Sequence, residues 1–104
     1  MLRIQEDVLW MVKEVYRVAE VVGRKDKDLA RQMTRASASV VLNSGEGAYG
    51  RRGNRRARWH DAMGSANEVR CALQLAQAVA LASVSAALMD RLDKIVATLW
   101  KLTR

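Results

Sequence analysis

The chain has 104 residues, half of them hydrophobic and 28% charged, a balance that suits one small globular domain and argues against a disordered chain. Eighteen Lys and Arg residues against eleven Asp and Glu give a formal net charge of +7, which points to an anionic partner. The chain has no proline and six glycines, too little turn chemistry for an all-β sandwich or barrel, and its single cysteine and single histidine exclude an intramolecular disulfide and a zinc site.

The N-terminal sequence does not have the pattern of a signal peptide, because Glu6 and Asp7 stand where an apolar run would begin. The longest uncharged stretch, residues 71–89, has the length of a membrane span, but it is rich in alanine and interrupted by glutamine and serine. We therefore expect a cytoplasmic protein with no membrane partner.

Two helices are predicted in the first half of the chain, at about 3–22 and 27–48, from apolar residues at helical spacing. Gly23 is a plausible end of the first helix, and Asp26 is the predicted N-cap of the second. The two apolar stripes consist of Val8, Val12, Val15, Ala19 and Val22, and of Leu29, Met33, Ala36, Val40 and Asn43.

Two further helices are predicted at about 55–81 and 85–102. Asn54 is the predicted N-cap of the third helix, and either Ser83 or Ser85 can cap the fourth. Cys71 is interpreted as a small buried residue, and Trp10 and Trp100 as core anchors. The stripes are Trp59, Ala62, Ala66, Val69, Leu73, Ala76 and Ala80, and Leu88, Leu92, Ile95, Leu99 and Leu102.

Four amphipathic helices with short connections predict an all-α fold, an antiparallel up-down-up-down four-helix bundle forming a single domain over residues 1–104. The alternative is a pair of long helical hairpins that associate between chains. Leu75, Val79 and Leu81 widen the apolar surface beyond one stripe, so we also expect a homo-oligomer.

An arginine cluster at the start of the third predicted helix is the candidate binding site. Cations there oppose the helix dipole, so a sequence selected for stability alone would carry Asp or Glu instead. Together with the N–H groups of a helix start, arginines suit phosphate, and Trp59 could stack on bases or belong to the core. The alternative is a solvated basic surface that only aids solubility. The candidate nucleic-acid-binding residues are Arg51, Arg52, Arg55, Arg56, Arg58 and His60.

A second set of polar residues is predicted to form a hydrogen-bonded layer between the second and third helices, with Arg35 and Glu68 paired inside the bundle. Glu46 and Glu68 could in principle act as an acid/base pair, but no nucleophile, metal ligand or cofactor motif accompanies them. We therefore expect a protein without enzymatic activity, cofactor or metal. The layer comprises Arg35, Ser39, Asn43, Glu46, Ser65 and Glu68.

The segment 45–50 matches the dinucleotide-binding pattern G-x-G-x-x-G. That motif requires a preceding strand, whereas a helix is predicted here. The glycines are therefore interpreted as a helix end that unwinds into a turn.

Residues 29–47 resemble the signature Q-x-x-R-A-x-x-S-x-x-x-N-x-x-E-G, and residues 62–68 resemble A-x-G-S-x-x-E. Both signatures are typical of the four-helix-bundle proteins encoded in intervening sequences of large-subunit ribosomal RNA, and the resemblance spans nearly the whole chain. The matching residues are Gln32, Arg35, Ser39, Asn43, Glu46, Gly47, Gly64, Ser65 and Glu68.

The resemblance implies a four-helix bundle and extends to the accessory variability determinants of diversity-generating retroelements. Those are basic homopentamers that bind nucleic acid and a reverse transcriptase. The sequence departs from the family pattern in the first connection, residues 23–27, and in the number of arginines at the start of the third helix.

Charge, motifs and resemblance together predict a non-enzymatic, oligomeric accessory protein that binds nucleic acid, RNA rather than DNA. Its context would be a reverse transcriptase or a ribosomal RNA intervening sequence. The alternative is a protein-interaction scaffold whose arginines bind an acidic partner surface.

Overall fold

The computed structural model describes residues 3–50 and 52–104, and for Arg52 and Gly53 the backbone alone. Four helices make up the fold: α1 (Arg3–Val22), α2 (Lys27–Tyr49), α3 (Arg52–Ala78) and α4 (Ala86–Thr103). No strand occurs in the described ranges, and each helix packs against the next, with α4 also contacting α1. The predicted all-α bundle is confirmed.

The helix ends show which of the predicted caps form. The Asp26 carboxylate accepts a hydrogen bond of 2.9 Å from the Leu29 N–H, and the Ser85 hydroxyl accepts one of 3.1 Å from the Leu88 N–H. Asp26 is therefore confirmed as the cap of α2, and Ser85, rather than Ser83, caps α4. The Asn54 prediction is wrong, because α3 begins at Arg52 and Asn54 lies within its first turn.

The C-terminus of α3 is reached three residues earlier than predicted, at Ala78. Ala80 has a left-handed backbone with φ of 59°. The Ala80 N–H bonds to Gln77 O at 3.2 Å and the Leu81 N–H to Ala76 O at 2.8 Å, which is a Schellman motif. This motif ends the helix and turns the chain toward α4.

Helix α2 ends within segment 45–50, as predicted, but only at its last residues, with Gly50 as the C-cap. Gly45 and Gly47 lie inside the last two turns of the helix, which continues to Tyr49. Gly47 is buried, and a Cβ added there would collide with Nε1 and Cδ1 of Trp59. The absence of a side chain at Gly47 therefore lets α3 approach α2 closely.

The core contains nearly all the predicted stripe residues. Val12, Asn43 and Leu102 are half-buried, and Ala80 is exposed. Ile4 and Met11 join the core although the predicted stripe omitted them. The buried hydrophobic residues are Ile4, Val8, Met11, Val15, Ala19, Val22, Leu29, Met33, Ala36, Val40, Trp59, Ala62, Ala66, Val69, Leu73, Ala76, Leu88, Leu92, Ile95 and Leu99.

Two interpretations of single residues are wrong. Cys71 is exposed because it lies two positions before the core residue Leu73, on the opposite side of α3. Trp100 follows the core residue Leu99 and is 54% exposed. Trp10, in contrast, is half-buried, and the Arg91 guanidinium lies 4.4 Å from the centre of its ring.

Within the described ranges, no helix is both long and apolar enough to span a bilayer.

Candidate functional site

The arginine cluster lies at the end of the bundle where α2 ends, α3 begins and α4 ends. Antiparallel packing brings these termini together, because only Gly50 and Arg51 separate α2 from α3. Arg51 lies outside the described residues, and Arg52 is described by its backbone alone. The structure therefore places Arg55, Arg56, Arg58 and His60 of the predicted set.

Arg55 is held between α2 and the core. Its Nε donates a 3.0 Å hydrogen bond to the Gly47 carbonyl, in the last turn of α2, and its guanidinium carbon lies 5.1 Å from the centre of the Trp59 ring. The carbonyl contact and the cation–π contact both orient the side chain.

Arg56 makes the equivalent contact with the other helix that ends here. Its Nε donates a 2.7 Å hydrogen bond to the carbonyl of Thr103, the last residue of α4. Helix C-termini carry a partial negative charge, so both arginines are stabilised by α2 and α4. Tertiary packing thus offsets the unfavourable dipole interaction that the sequence predicts for cations at the start of α3.

Arg58 differs from these two arginines because it contacts carboxylates. Its Nε lies 3.2 Å from a Glu46 oxygen, and its Nη1 lies 3.4 Å from an Asp61 oxygen. The charge of Arg58 is therefore balanced locally, whereas no ion pair forms at Arg55 or Arg56 with any described residue. His60, next to this set, is exposed.

Trp59 belongs to the core and does not present its ring to solvent. It is 9% exposed and packs against Gly47 of α2. Its Nε1 is buried against the α2 backbone without a hydrogen-bond partner among the described residues. Of its two interpretations, the core one is confirmed.

Two cavities flank the start of α3. One, of about 250 Å³, faces the end of α4 and is lined by Arg55, Arg56, Trp59, Leu102 and Arg104. The other, of about 390 Å³, faces α2 and is lined by Glu46, Tyr49, Gly50, Asn54 and Arg58. The first is lined by three arginines and no acidic residue, and the second contains the Glu46–Arg58 ion pair.

The predicted polar layer lies at the surface between α2 and α3, and among its six members one hydrogen bond, between Ser39 and Ser65, joins the two helices. The Ser39 and Ser65 hydroxyls share a 2.8 Å hydrogen bond, and Asn43 Nδ2 donates to the Ser39 hydroxyl at 3.0 Å. These three residues are half-buried.

The buried pair of Arg35 and Glu68 does not form, because both residues are exposed, and Glu46 pairs with Arg58 instead. Arg35 directly precedes the core residue Ala36, and Glu68 directly precedes the core residue Val69. One position is a rotation of about 100° on an α-helix, which moves a side chain from the core to the edge of the interface. Long side chains at that edge reach water.

Among the described residues, no group of three or more His, Cys, Asp or Glu side chains is placed to hold a metal ion. The two carboxylates considered as an acid/base pair also belong to different surroundings. Glu46 is paired with Arg58, and Glu68 is exposed.

A family model described as 23S rRNA-intervening sequence protein matches residues 1–101. The chain belongs to this family. The membership predicted from the two signatures is thereby confirmed for the 23S rRNA-intervening sequence proteins. No curated protein matches the chain significantly.

A solved structure has a closely similar fold. It is the crystal structure of a protein of unknown function from the S23 ribosomal protein family of Bacteroides thetaiotaomicron. The TM-score is 0.85 at 15% sequence identity, covering 97% of this chain and 98% of the other. At this identity the likeness shows the fold alone.

Sequence reasoning about this 23S rRNA-intervening sequence protein missed Arg104 and the two carbonyls that orient Arg55 and Arg56. The carbonyls leave no trace in the side-chain pattern. Arg104 could have been found from topology, since the fourth helix of an antiparallel bundle ends where the third begins.

Proposed function

We propose that this protein is a non-enzymatic, cytoplasmic accessory protein that binds RNA through the arginines at the start of α3. The observation that supports the proposal most directly is the way Arg55 and Arg56 are held. Main-chain carbonyls orient both guanidiniums without a countercharge, so they retain positive charge for a phosphate backbone. Membership of a family described by its link to 23S rRNA supports RNA over DNA.

A paired guanidinium is a weaker phosphate ligand, because the phosphate must compete with the carboxylate. This applies to Arg58, which contacts both Glu46 and Asp61. Arg55 and Arg56 are therefore proposed as the principal described contacts, and Arg58 and His60 as peripheral ones.

The test is a titration of single-stranded RNA at several salt concentrations, comparing the wild type with the double variant Arg55→Gln/Arg56→Gln. Loss of two phosphate contacts should reduce the slope of log K against log salt by about 1.4 and weaken binding at low salt. The matched control is Arg17→Gln/Arg31→Gln, which removes the same charge from exposed positions outside the cluster.

Equal loss of affinity in both double variants would show that only net charge matters and would refute a defined site. Unchanged affinity in the Arg55→Gln/Arg56→Gln variant would refute the proposal as a whole. Circular dichroism of each variant separates lost binding from lost fold.

We also propose that the protein acts as a homo-oligomer, because several large apolar side chains remain on the surface of one chain. Leu42 is 65% exposed and Tyr49 is 74% exposed, seven residues apart on the same face of α2. Tyr49 also lines an apolar groove with Leu9 of α1. A homopentamer, and a reverse transcriptase as partner, are proposals that rest on the family resemblance.

These exposed apolar side chains also favour the alternative of a protein-interaction scaffold. In that case the arginines would bind an acidic protein surface, and the RNA titration would show no difference between the two double variants. Sedimentation of the purified protein, with and without RNA, distinguishes self-association from RNA-dependent assembly.

A further inference from the structure

The cavity between α3 and the end of α4 is lined by three arginines and by no acidic residue. Its volume is about 250 Å³, and Arg55, Arg56, Arg104, Trp59 and Leu102 line it. No ion pair joins any of these three guanidiniums to a carboxylate of the described residues. Three cations around one small cavity repel one another until an anion enters.

The guanidiniums of Arg55 and Arg56 are oriented for such an anion. Each uses its Nε for a main-chain carbonyl, at 3.0 Å and 2.7 Å respectively. A guanidinium has five N–H donors, so four remain on each arginine after the Nε contact. Fixed side chains lose little conformational entropy when a ligand binds, which favours affinity.

The number of charges distinguishes between two kinds of phosphate. A phosphodiester within an RNA chain carries one negative charge, whereas a phosphate monoester carries about −1.5 to −2 at neutral pH and has three acceptor oxygens. The three arginines that line this cavity match the charge of the second. The neighbouring cavity does not, because the Glu46 carboxylate would repel a dianion.

We infer that the cavity lined by Arg55, Arg56 and Arg104 binds the terminal phosphate monoester of an RNA chain. The inference rests on the proposed RNA binding and adds to it a contact with the chain end. The apolar part of the cavity, formed by Trp59 and Leu102, would contact the sugar of the terminal nucleotide.

The experiment measures the affinity of the full-length protein for one short oligoribonucleotide in three forms: with a 5′-phosphate, with a 3′-phosphate, and with hydroxyl groups at both ends. We expect one phosphorylated form to bind about tenfold more tightly than the hydroxyl form. Inorganic phosphate is the competitor in a parallel titration and should displace the phosphorylated form only weakly.

Two variants test the assignment. Arg56→Gln and Arg104→Gln should each reduce the ratio of the affinities for phosphorylated and hydroxyl-terminated RNA toward one. Arg31 is an exposed arginine of α2, and the Arg31→Gln variant should keep the wild-type ratio. Arg104 makes no side-chain hydrogen bond to the described residues, so Arg104→Gln leaves the hydrogen bond from Arg56 to the Thr103 carbonyl intact.

The inference would be overturned if all three RNA forms bound with equal affinity while the arginine variants still bound RNA more weakly than the wild type. That result would leave the proposed RNA binding in place. Absence of binding to every form would refute the proposed function itself. Displacement by inorganic phosphate as strong as that by phosphorylated RNA would overturn the inference in favour of a site for the free ion.

Discussion

Gly47 and Gly64 both lie inside helices, yet their surroundings differ completely. A Cβ at Gly47 would collide with the Trp59 ring, whereas a Cβ at Gly64 would have nothing within 4 Å. Gly47 is buried and Gly64 is exposed. The first glycine is required by packing, and the second only weakens its helix.

The substitution Gly47→Ala should lower the free energy of unfolding by about 1–3 kcal/mol, because α3 must shift or Trp59 must leave its rotamer. Gly64→Ala is the matched control and should raise it by about 0.5–1 kcal/mol through helix propensity. Denaturant unfolding measures both. Equal effects of the two substitutions would contradict the close contact between α2 and Trp59.

The arginines at the start of α3 have different contacts, which their positions in the sequence do not predict. Arg55 and Arg56 are adjacent in sequence, but one bonds to the end of α2 and the other to the end of α4. Arg58, two positions on, contacts carboxylates instead. The cluster is therefore three different arginines rather than one uniform patch.

At the scale of helices, apolar periodicity predicts where a helix runs but does not fix the residues at which it begins and ends. The apolar stripes and the caps at Asp26 and Ser85 were predictable because they follow from residue type and spacing. The start of α3 was not, since Arg52 and Gly53, which precede Asn54, are already helical. The end of α3 was not predictable either, because its left-handed residue is an alanine.

Ala80 offers a direct test of that helix end. A left-handed backbone costs a residue with a Cβ about 1 kcal/mol more than glycine, so Ala80→Gly should stabilise the protein by up to about 1 kcal/mol. Ala97→Gly, at an exposed position inside α4, should destabilise it by about 1 kcal/mol. Thermal or denaturant unfolding gives both values, and destabilisation by Ala80→Gly would contradict the Schellman motif.

At the scale of the whole molecule, α4 is joined to α1 by a cluster centred on Asp7. Its carboxylate lies 3.1 Å from Arg91 Nη1 and 3.6 Å from Lys94 Nζ, and Arg91 also stacks on Trp10. Asp7 is only 14% exposed, unlike the acids in the other ion pairs, which are 27–83% exposed. This pair therefore links the first and last helices in a setting where solvent screens it less.

The substitution Asp7→Ala should lower the free energy of unfolding by about 1.5–3 kcal/mol, the range for hydrogen bonds to charged groups. Glu20→Ala removes the same charge from an exposed site of α1 that forms no ion pair with the described residues, and should change stability by less than about 0.5 kcal/mol. A loss at Asp7 no larger than at Glu20 would show that the cluster does not hold α4 to α1.

The sequence by itself determined the four helices, most of the core, the family and the location of the basic cluster, because these depend on residue type and periodicity along one helix. Tertiary structure decided which polar residues meet. Arg35 and Glu68 face water because each lies one position, about 100°, from the core stripe. Arg55, Arg56 and Arg104 meet because antiparallel packing brings three helix ends together, and no local pattern specifies that meeting.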